Sequence, residues 1–537
     1  MPRGARLDQV SIPNLYIRGV NPFLPSHEFI PDGEPHVFGD RVYLYGSHDR
    51  LRGHAYCLGD YVCYSAPVTD LMSWRFEGVI YGRTDDPANG PATADNPDAL
   101  GGAACLYAPD VTRGPDGKYY LYYALDKLDY ISVAVCDTPA GRFEYLGFVR
   151  HSDGTPWGRA SGDMPCFDPA VLTEGDVTYL YSGFSAPDDT TRIGCTAVAL
   201  SPDMLTITDG PHHVLPSASY AAGTEFEGFA FFEAPSIRRV GALYYLVYST
   251  QQCHELAYAT STTPLGGFEF RGVIVSNADI GIRDYKPADA KMAPGGNNHG
   301  GFELTDGQYV MFFHRHTGGH EFSRQAMLEP ISISDDGTIA QVPVTSHGPL
   351  TVATGGVLPG TGRFGAWIAC HLFIGDPAIT PKTTFPKHDP FLPFITWAGA
   401  DVDAGRARPL ADSGEFKEDV DERSEKHVDV TAKPNLRAPV GYVSNIFDRG
   451  GIGFRFFDLA GGPTRVTIWT RGYLTGGRFE VRLVPFGPAV GEIVVDNTNE
   501  WTPSAAVIDL PAGKHGLYLV YRGGAMAELH SIELSLA

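Results

Sequence analysis

Four acidic residues stand at a similar distance before a tyrosine in four separate segments of the chain. Asp32, Asp168 and Glu233 each precede a tyrosine by eleven residues, and Asp110 precedes one by ten. One carboxyl group that donates a proton and a second that accepts one from water can together cleave a glycosidic bond. A third carboxylate nearby keeps the acid protonated through charge repulsion. These residue types therefore indicate glycosidic chemistry if the fold brings them together.

The elements that must position these residues are five β hairpins. Each hairpin joins an apolar-alternating strand to an aromatic strand through a Gly- or Asp-bearing turn, as in "HVFGDRVYLYGS", "DVTRGPDGKYYLYYAL", "AVLTEGDVTYLYSGF", "SIRRVGALYYLVYST" and "GFELTDGQYVMFFHRH". Five such units without helical periodicity predict a five-bladed β-propeller over residues 20–348. The first strand of every blade lines the central channel, so the acids should meet at one end of it. His299, 66 residues after Glu233, holds the corresponding place before the fifth hairpin.

The composition narrows the class of protein. The 63 Asp and Glu residues exceed the 41 Lys and Arg residues, and a net charge of −22 opposes binding to nucleic acid or to an anionic membrane. Aromatic residues make up 12% of the chain beside 63 Gly and 41 Pro, which favours an all-β protein of short strands and tight turns. The N-terminus carries no apolar leader segment, so we expect a cytoplasmic protein. A homo-oligomer is compatible with this composition.

The last third of the chain, residues 349–537, has a different texture. Segments such as "RVTIWTRGY", "GRFEVRLVPF" and "KHGLYLVYRG" alternate at period two between short turns, which predicts a β-sandwich of the jelly-roll type. Residues 405–427 are rich in charge and poor in apolar side chains, as expected of an exposed loop or insertion. Trp501, in "NEWTPS", is the tryptophan of this region best suited to contact a ligand.

The starts of the blades resemble a known family. "IPDGEPHVFGDRVYLYGSHD", "YAPDV", "FDPAV", "FEAPSI" and "NNHGG" resemble the motifs of glycoside hydrolase family 43, whose five-bladed propellers include β-xylosidases and α-L-arabinofuranosidases. The resemblance spans about residues 20–345. It implies an inverting hydrolase that releases a xylosyl or arabinofuranosyl residue and requires no cofactor. Because a cytoplasmic enzyme meets imported oligosaccharides, we expect exo action on short plant-derived chains. The tail from about residue 437 resembles carbohydrate-binding module family 6, although a purely structural cap on the propeller fits its sequence as well.

The resemblance also implies catalytic roles for individual residues. By position, Asp32 is the general base, Glu233 the general acid and Asp110 the carboxylate that orients the substrate and modulates the pKa of the acid. In an inverting enzyme the base and the acid stand roughly 6.5 to 9.5 Å apart, which leaves room for a water molecule. Pro31 and Gly33 flank Asp32 where the family has Ala and Pro. Glu34, in "EP", is the lesser candidate for the base, because it requires a two-residue slip in register.

A further set of residues is expected around the substrate. Arg324, in "SRQA", resembles an element whose arginine reaches the sugar in the −1 subsite, and His299 resembles a channel histidine that lies near a water molecule or a calcium ion. Asp168 either lines the pocket or is structural. His48 either contacts the substrate or pairs with Asp49. The loop residue Trp157 is expected to wall the pocket, because aromatic faces bury the apolar faces of sugars.

Three other functions stay open on the sequence. The same propeller could hydrolyse another glycoside, such as a galactofuranoside. Propeller enzymes that act on fructosides carry Trp-Met-Asn-Asp-Pro-Asn-Gly, Arg-Asp-Pro and Glu-Cys motifs, which this chain lacks. A noncatalytic carbohydrate-binding protein is the third alternative. It is distinguished by whether a Glu233→Gln variant abolishes turnover while leaving sugar binding intact.

Overall fold

The computed structural model describes residues 19–537 except 51–52, 95, 187, 320, 377–390, 398–440 and 473–476. The charged segment predicted at 405–427 lies outside the described residues. Among the residues that are described, no helix is long and apolar enough to cross a membrane.

Five antiparallel sheets form the five blades of a β-propeller, and in each sheet consecutive strands are neighbours. Blades one and two consist of β1 (Glu34–Phe38), β2 (Arg41–Tyr45), β3 (Tyr61–Pro67), β4 (Arg75–Tyr81), β5 (Leu106–Arg113), β6 (Tyr119–Leu125), β7 (Ile131–Cys136) and β8 (Glu144–Phe148). Blades three and four consist of β9 (Ala170–Glu174), β10 (Val177–Ser182), β11 (Gly194–Leu200), β12 (Ile207–Pro216), β13 (Phe231–Val240), β14 (Leu243–Thr250), β15 (Glu255–Ser261) and β16 (Glu269–Ser276). Blade five has three described strands, β17 (Phe302–Thr305), β18 (Gln308–His316) and β19 (Arg324–Ile331). The predicted propeller is confirmed.

The first strands of the blades surround the channel. Strand β1 contacts β5, β5 contacts β9, β9 contacts β13, and β17 returns to contact β1. Asn21 helps to close the ring, because its side-chain amide donates to the carbonyl oxygen of Leu328 in β19 and accepts from the same residue's N–H. Side chains at the starts of the first strands therefore meet around one axis, as the sequence predicts.

The C-terminal part forms a sheet of ten strands, consistent with the predicted β-sandwich. After helix α1 (Gly348–Thr354) come β20 (Leu358–Pro359), β21 (Gly362–Gly365), a 3₁₀ helix (Ala366–Ile368), β22 (His371–Ile374), β23 (Phe394–Trp397), β24 (Gly441–Ile446), β25 (Gly450–Gly472), β26 (Gly477–Arg482), β27 (Ala489–Val495), β28 (Thr502–Gly523) and β29 (Ala527–Leu536). The long strands β25 and β28 pair with each other along most of their length. Their inward side chains build one apolar core with β24 and β29.

A buried polar cluster joins the sandwich to the propeller. Asp279, which follows β16, accepts hydrogen bonds from Tyr285 at 2.6 Å and from Nε2 of His371 in β22 at 2.8 Å. The guanidinium of Arg455, from β25, lies 3.7 Å from the centre of the Tyr285 ring. These groups are paired across the boundary, so the two parts of the chain contact each other through a buried polar network here.

Candidate active site

A pocket of about 510 Å³ contains the charged residues at one end of the channel. This volume falls within the range of about 300–1,000 Å³ that is usual for small-molecule sites. Four blades contribute the charged groups that the sequence singled out, namely Asp32, Asp168, Glu233, His299 and Arg324. The structure therefore brings together five of the nine predicted site residues.

The backbone at the three acids is unusual. The φ angle is +58° at Asp32, +48° at Asp168 and +64° at Ala234, the residue after Glu233. Residues other than glycine rarely adopt such values, and each costs on the order of 1–3 kcal/mol. Glu233 also lies at a bulge in β13, and a bulge redirects a side chain. The fold thus holds all three carboxylates in place at a local cost, as active sites commonly do.

Arg324 binds two buried carboxylates at the start of β19. Its Nη1 donates to Oδ1 of Asp32 at 2.9 Å, while Nε and Nη2 donate to the two oxygens of Asp49 at 2.8 and 3.0 Å. The N–H of Asp32 donates to Nδ1 of His314 at 3.2 Å. Because Asp49 fixes the guanidinium from behind, the Asp32 carboxylate is held in one orientation. The sequence missed this role of Asp49, which it paired with His48.

Asp168 lies between Glu233 and His299. One of its carboxylate oxygens accepts the N–H of Ala234 at 3.2 Å, and Nδ1 of His299 lies 3.9 Å from the same oxygen. Burial raises the pKa of Asp168 well above its usual value; the charges of Glu233 and Asp32 raise it further, and His299 opposes them. Asp168 is therefore the carboxylate of the pocket that responds to the charge of Glu233.

Asp110, expected beside the substrate, is not part of the pocket lining. It lies within β5, fully buried, and accepts hydrogen bonds from Nε2 of His36 at 2.6 Å and from the N–H of Val171 at 2.7 Å. Asp110 thus ties the first strands of blades one, two and three together. This placement departs from the expected contact with substrate.

Strand register explains the difference between Asp110 and Asp168. Tyr43 and Tyr179 pair with residues four positions after Asp32 and Asp168, but Tyr120 pairs with Thr112, only two positions after Asp110. The hairpin turn of blade two has five residues, whereas those of blades one and three have two. The longer turn of blade two adds residues between the acid and the tyrosine. A similar spacing along the sequence therefore places Asp110 two residues deeper in the channel.

Glu34, the lesser candidate for the base, is also outside the pocket lining. Its side chain is fully buried and accepts hydrogen bonds from Ser236 at 2.9 Å and from Nη2 of Arg238 at 3.0 Å. Register places Glu34 level with Asp110, since it stands two positions before the partner of Tyr43. Of the two candidates for the base, only Asp32 reaches the pocket.

His48 and Trp157 are not placed to contact a substrate in the pocket. Nδ1 of His48 is 3.1 Å from the carbonyl oxygen of Asp60, and its Nε2 is 3.6 Å from Glu28. Trp157 is fully buried in the core between blades two and three, because the loop that carries it folds inward. Neither residue is among those that line the pocket.

Aromatic walls that the sequence did not identify enclose the pocket. They are formed by Tyr56, Tyr107, Phe167, Phe184 and Phe232. Two of these directly precede Asp168 and Glu233 in the chain, a signal that was available in "FDPAV" and "FEAPSI". Aromatic side chains beside carboxylates provide the apolar surface on which a sugar ring packs.

The rim residue Tyr56 is held from two sides. Its hydroxyl donates to Glu321 at 2.6 Å, its ring meets that of Phe322 edge-on at 4.5 Å, and the guanidinium of Arg324 lies 4.7 Å from its ring centre. The loop that carries Glu321 and Phe322 connects β18 with β19. Tyr56 is thus positioned by the same blade that supplies Arg324.

The sandwich braces this loop. The N–H of Ile395 in β23 donates to the carbonyl oxygen of Thr317 at 2.7 Å. A side-chain carbon added at Gly319 would lie only 2.6 Å from the ring of Phe394, so the backbone passes directly over that ring. The C-terminal domain therefore reaches the loop that holds the pocket rim.

On the sandwich itself, Trp501 is already in contact with protein groups. Its ring meets those of Tyr442 and His530 edge-on, and the guanidinium of Arg471 lies 4.4 Å from its centre. Carbohydrate binding by this domain stays a prediction.

Three of the described channel residues, Glu34, His36 and Asp110, lie close together but do not suit a directly bound calcium ion. Calcium takes six to eight oxygen ligands. Oxygen and nitrogen atoms of Glu34, His36 and Asp110 lie within 4.8 Å of one another, but Glu34 already accepts from Arg238 and Asp110 from His36. The guanidinium of Arg238 adds positive charge where a cation would lie. These three side chains therefore do not support a calcium site of their own, and an ion near His299 stays a prediction.

Comparisons with known proteins identify what this chain is similar to. Residues 21–339 match the model of the family described as Glycosyl hydrolases family 43. A "Xylosidase/arabinosidase" of Thermoclostridium stercorarium is 48% identical over 514 residues, covering 96% of this chain and 98% of the relative, and one of Bacteroides ovatus is 28% identical over 291 residues, covering 47% and 80%. A solved family 43 arabinoxylan arabinofuranohydrolase of Bacillus subtilis is 19% identical with a TM-score of 0.48, covering 97% of this chain and 99% of that one.

Proposed function

Because the chain belongs to glycosyl hydrolase family 43, we propose that it is an inverting exo-glycosidase that releases xylosyl or arabinofuranosyl residues from oligosaccharides. The observation that carries the proposal is the meeting of Asp32, Asp168 and Glu233 in one aromatic-walled pocket. The names of its relatives, xylosidase/arabinosidase, support a pentose as the released sugar. A pocket of this size suits the end of a chain better than its middle, which favours exo action.

Asp32 is the proposed general base. Arg324 binds one oxygen of the Asp32 carboxylate, so the second oxygen is left for the attacking water. The guanidinium also fixes the direction in which that second oxygen points. The other two nitrogens of Arg324 are engaged by Asp49, so the clamp cannot swing toward the substrate without breaking charged hydrogen bonds.

Glu233 is the proposed general acid, and Asp168 takes the modulating role that the sequence gave to Asp110. Two carboxyl groups that interact in a buried pocket resist ionising together, so the charge of either one favours retention of the proton by the other. The N–H of Ala234 holds Asp168 beside the strand that carries the acid.

The proposed reaction is a single displacement. Asp32 takes a proton from water as the water oxygen bonds to the anomeric carbon. The bond from that carbon to the leaving oxygen breaks on the opposite face, and Glu233 gives its proton to that oxygen. The products are a free sugar of inverted configuration and the shortened alcohol, and proton exchange with solvent restores both carboxyl groups.

A screen of 4-nitrophenyl β-D-xylopyranoside, α-L-arabinofuranoside and β-D-galactofuranoside tests the proposal. We expect turnover of a pentoside, and proton NMR of the first-formed sugar should show the inverted anomer. A retained anomer would overturn the single displacement, and turnover of the galactofuranoside alone would overturn the assigned sugar. Binding of xylo-oligosaccharides without turnover of any glycoside would favour the noncatalytic alternative.

A further inference from the structure

The deeper part of the channel contains a buried charged pair that the proposed reaction does not use. Glu34 and Arg238 lie below the pocket, and Arg238 also donates to the carbonyl oxygen of Pro35 at 2.6 Å. Burying such a pair costs free energy and is weak evidence for stability alone. Its place against His299 points to another use.

His299 stands between two carboxylates. Its Nε2 lies 3.7 Å from Oε1 of Glu34, and its Nδ1 lies 3.9 Å from Oδ2 of Asp168. Nε2 of His299 and Oε1 of Glu34 are both buried, and neither has a hydrogen-bond partner among the described residues. A neutral imidazole would turn an acceptor nitrogen toward one of these carboxylates, whereas an imidazolium presents N–H to both. The geometry therefore selects the charged ring.

We propose that Glu34 is a positioning residue that, with Arg238, holds His299 as an imidazolium, and that this cation stabilises the charged form of the Asp168 carboxylate against burial at the floor of the pocket. Glu34 touches neither substrate nor water of the reaction, and it acts only through His299. The inference rests on the proposed function, because it assigns Glu34 a part in setting the charge beside the general acid.

The surrounding charges agree with this arrangement. The groups that face His299 are Glu34, Asp168 and Asp32, with His314 on the side of β18. Burial lowers the pKa of His299, but the three carboxylates outweigh burial and raise it to about 9. Burial likewise opposes the charge on Glu34, and Arg238 with His299 brings its pKa below the ordinary value. His314 stays neutral, since burial lowers its pKa.

The test compares Glu34→Gln with the wild-type protein by two readouts. Histidine-selective NMR, with the His299 signal assigned from a His299→Asn variant, should show its titration midpoint lowered by about one to three units, as expected for loss of a contact charge. If the midpoint falls from about 9 to about 7, the charged fraction at pH 8 falls about tenfold. We expect kcat/KM of the variant to be about tenfold below wild type at pH 8 and close to wild type at pH 5.5.

Glu303→Gln is the matched control. Oε2 of Glu303 lies 3.6 Å from Nε of Arg238, so this variant removes a carboxylate from the same arginine without facing His299. It should keep the wild-type titration and pH profile. If Glu34→Gln fails to fold, Glu34→Gln combined with Arg238→Met removes the pair together and should show the same shift.

Each outcome decides the inference. A wild-type midpoint for His299 in the Glu34 variants, or a loss of kcat/KM that is constant from pH 5.5 to 8, overturns it. A wild-type protein that hydrolyses no glycoside overturns the proposed function and the catalytic half of the inference, while the NMR titration still decides whether Glu34 holds the charge of His299.

Discussion

Replacing Arg324 with lysine separates the orientation of the proposed base from the presence of a positive charge beside it. The guanidinium makes three side-chain hydrogen bonds to carboxylates, one to Asp32 and two to Asp49, at 2.8 to 3.0 Å. A lysine ammonium lacks the planar fork that reaches both carboxylates, so Arg324→Lys retains the charge and loses the geometry.

The expected size of the effect follows from the contacts that are lost. An ammonium can replace about one of the three bonds, and a hydrogen bond to a charged group contributes about 1.5–3 kcal/mol. Loss of two such bonds in a buried site should lower the free energy of unfolding by about 3–6 kcal/mol. A base that shifts by about 1 Å reacts about 100-fold more slowly, so kcat should fall by about that factor.

Urea unfolding and steady-state kinetics on an aryl pentoside measure the two effects of Arg324→Lys. Arg239→Lys is the matched control, because Arg239 donates to Glu174 at 2.7 Å but is about half exposed, and exposed pairs contribute less than about 1 kcal/mol. The control should keep wild-type kcat and nearly wild-type stability. If Arg324→Lys keeps kcat within about threefold while Asp32→Asn is inactive, Arg324 does not orient the base.

Three other experiments test separate parts of the structure. Glu233→Gln should lose about 100- to 10,000-fold in kcat on xylobiose but far less on a 2,4-dinitrophenyl glycoside, whose leaving group needs no proton; Asp32→Asn should lose similar amounts on both. Phe394→Ala should raise KM several-fold with a small change in kcat, because the loop 317–323 that holds Tyr56 loses its brace. Urea unfolding as a function of pH should show stability falling between pH 6.5 and 4, since burial lowers to about 4 the pKa of each of His254, His347, His371 and His530.

The sign of the pH effect follows from proton uptake. The unfolded chain protonates these four histidines below their ordinary pKa of about 6.5, whereas the folded chain resists until about pH 4. Each contributes up to about 3 kcal/mol, which is fully present above pH 6.5 and lost as the pH falls. NMR titration midpoints near 6.5 for these four rings in the folded protein would contradict their burial as neutral rings. An equal loss of kcat on both substrates for Glu233→Gln would contradict its role as the acid. A wild-type KM for Phe394→Ala would contradict the role of Phe394 as a brace.

The fold was predictable because each blade repeats a local pattern. Alternating apolar and aromatic residues on either side of a short turn define a hairpin without reference to the rest of the chain. The brace from the sandwich was not predictable, since the contact of Phe394 with Gly319 joins segments that share no pattern. Likewise, nothing local to Asp49 indicates that it accepts three hydrogen bonds from Arg324, 275 residues away.

The sequence predicted the place of a site residue correctly only where its spacing along the chain corresponds to its depth in the channel. Asp32 and Glu34 differ by two residues and therefore share a face of an ideal strand, yet a positive φ at Asp32 sends the first into the pocket while β1 carries the second below it. Asp110 was misplaced for a related reason, because the five-residue turn of blade two compensates for its deeper register. The length of a turn and the sign of the φ angle at a blade start are set by glycines and by the neighbouring strands. An acid beside a proline at a blade start therefore identifies a channel carboxylate. Pairing register decides whether that carboxylate reaches the pocket, as Asp168 does, or lies deeper in the channel, as Glu34 does.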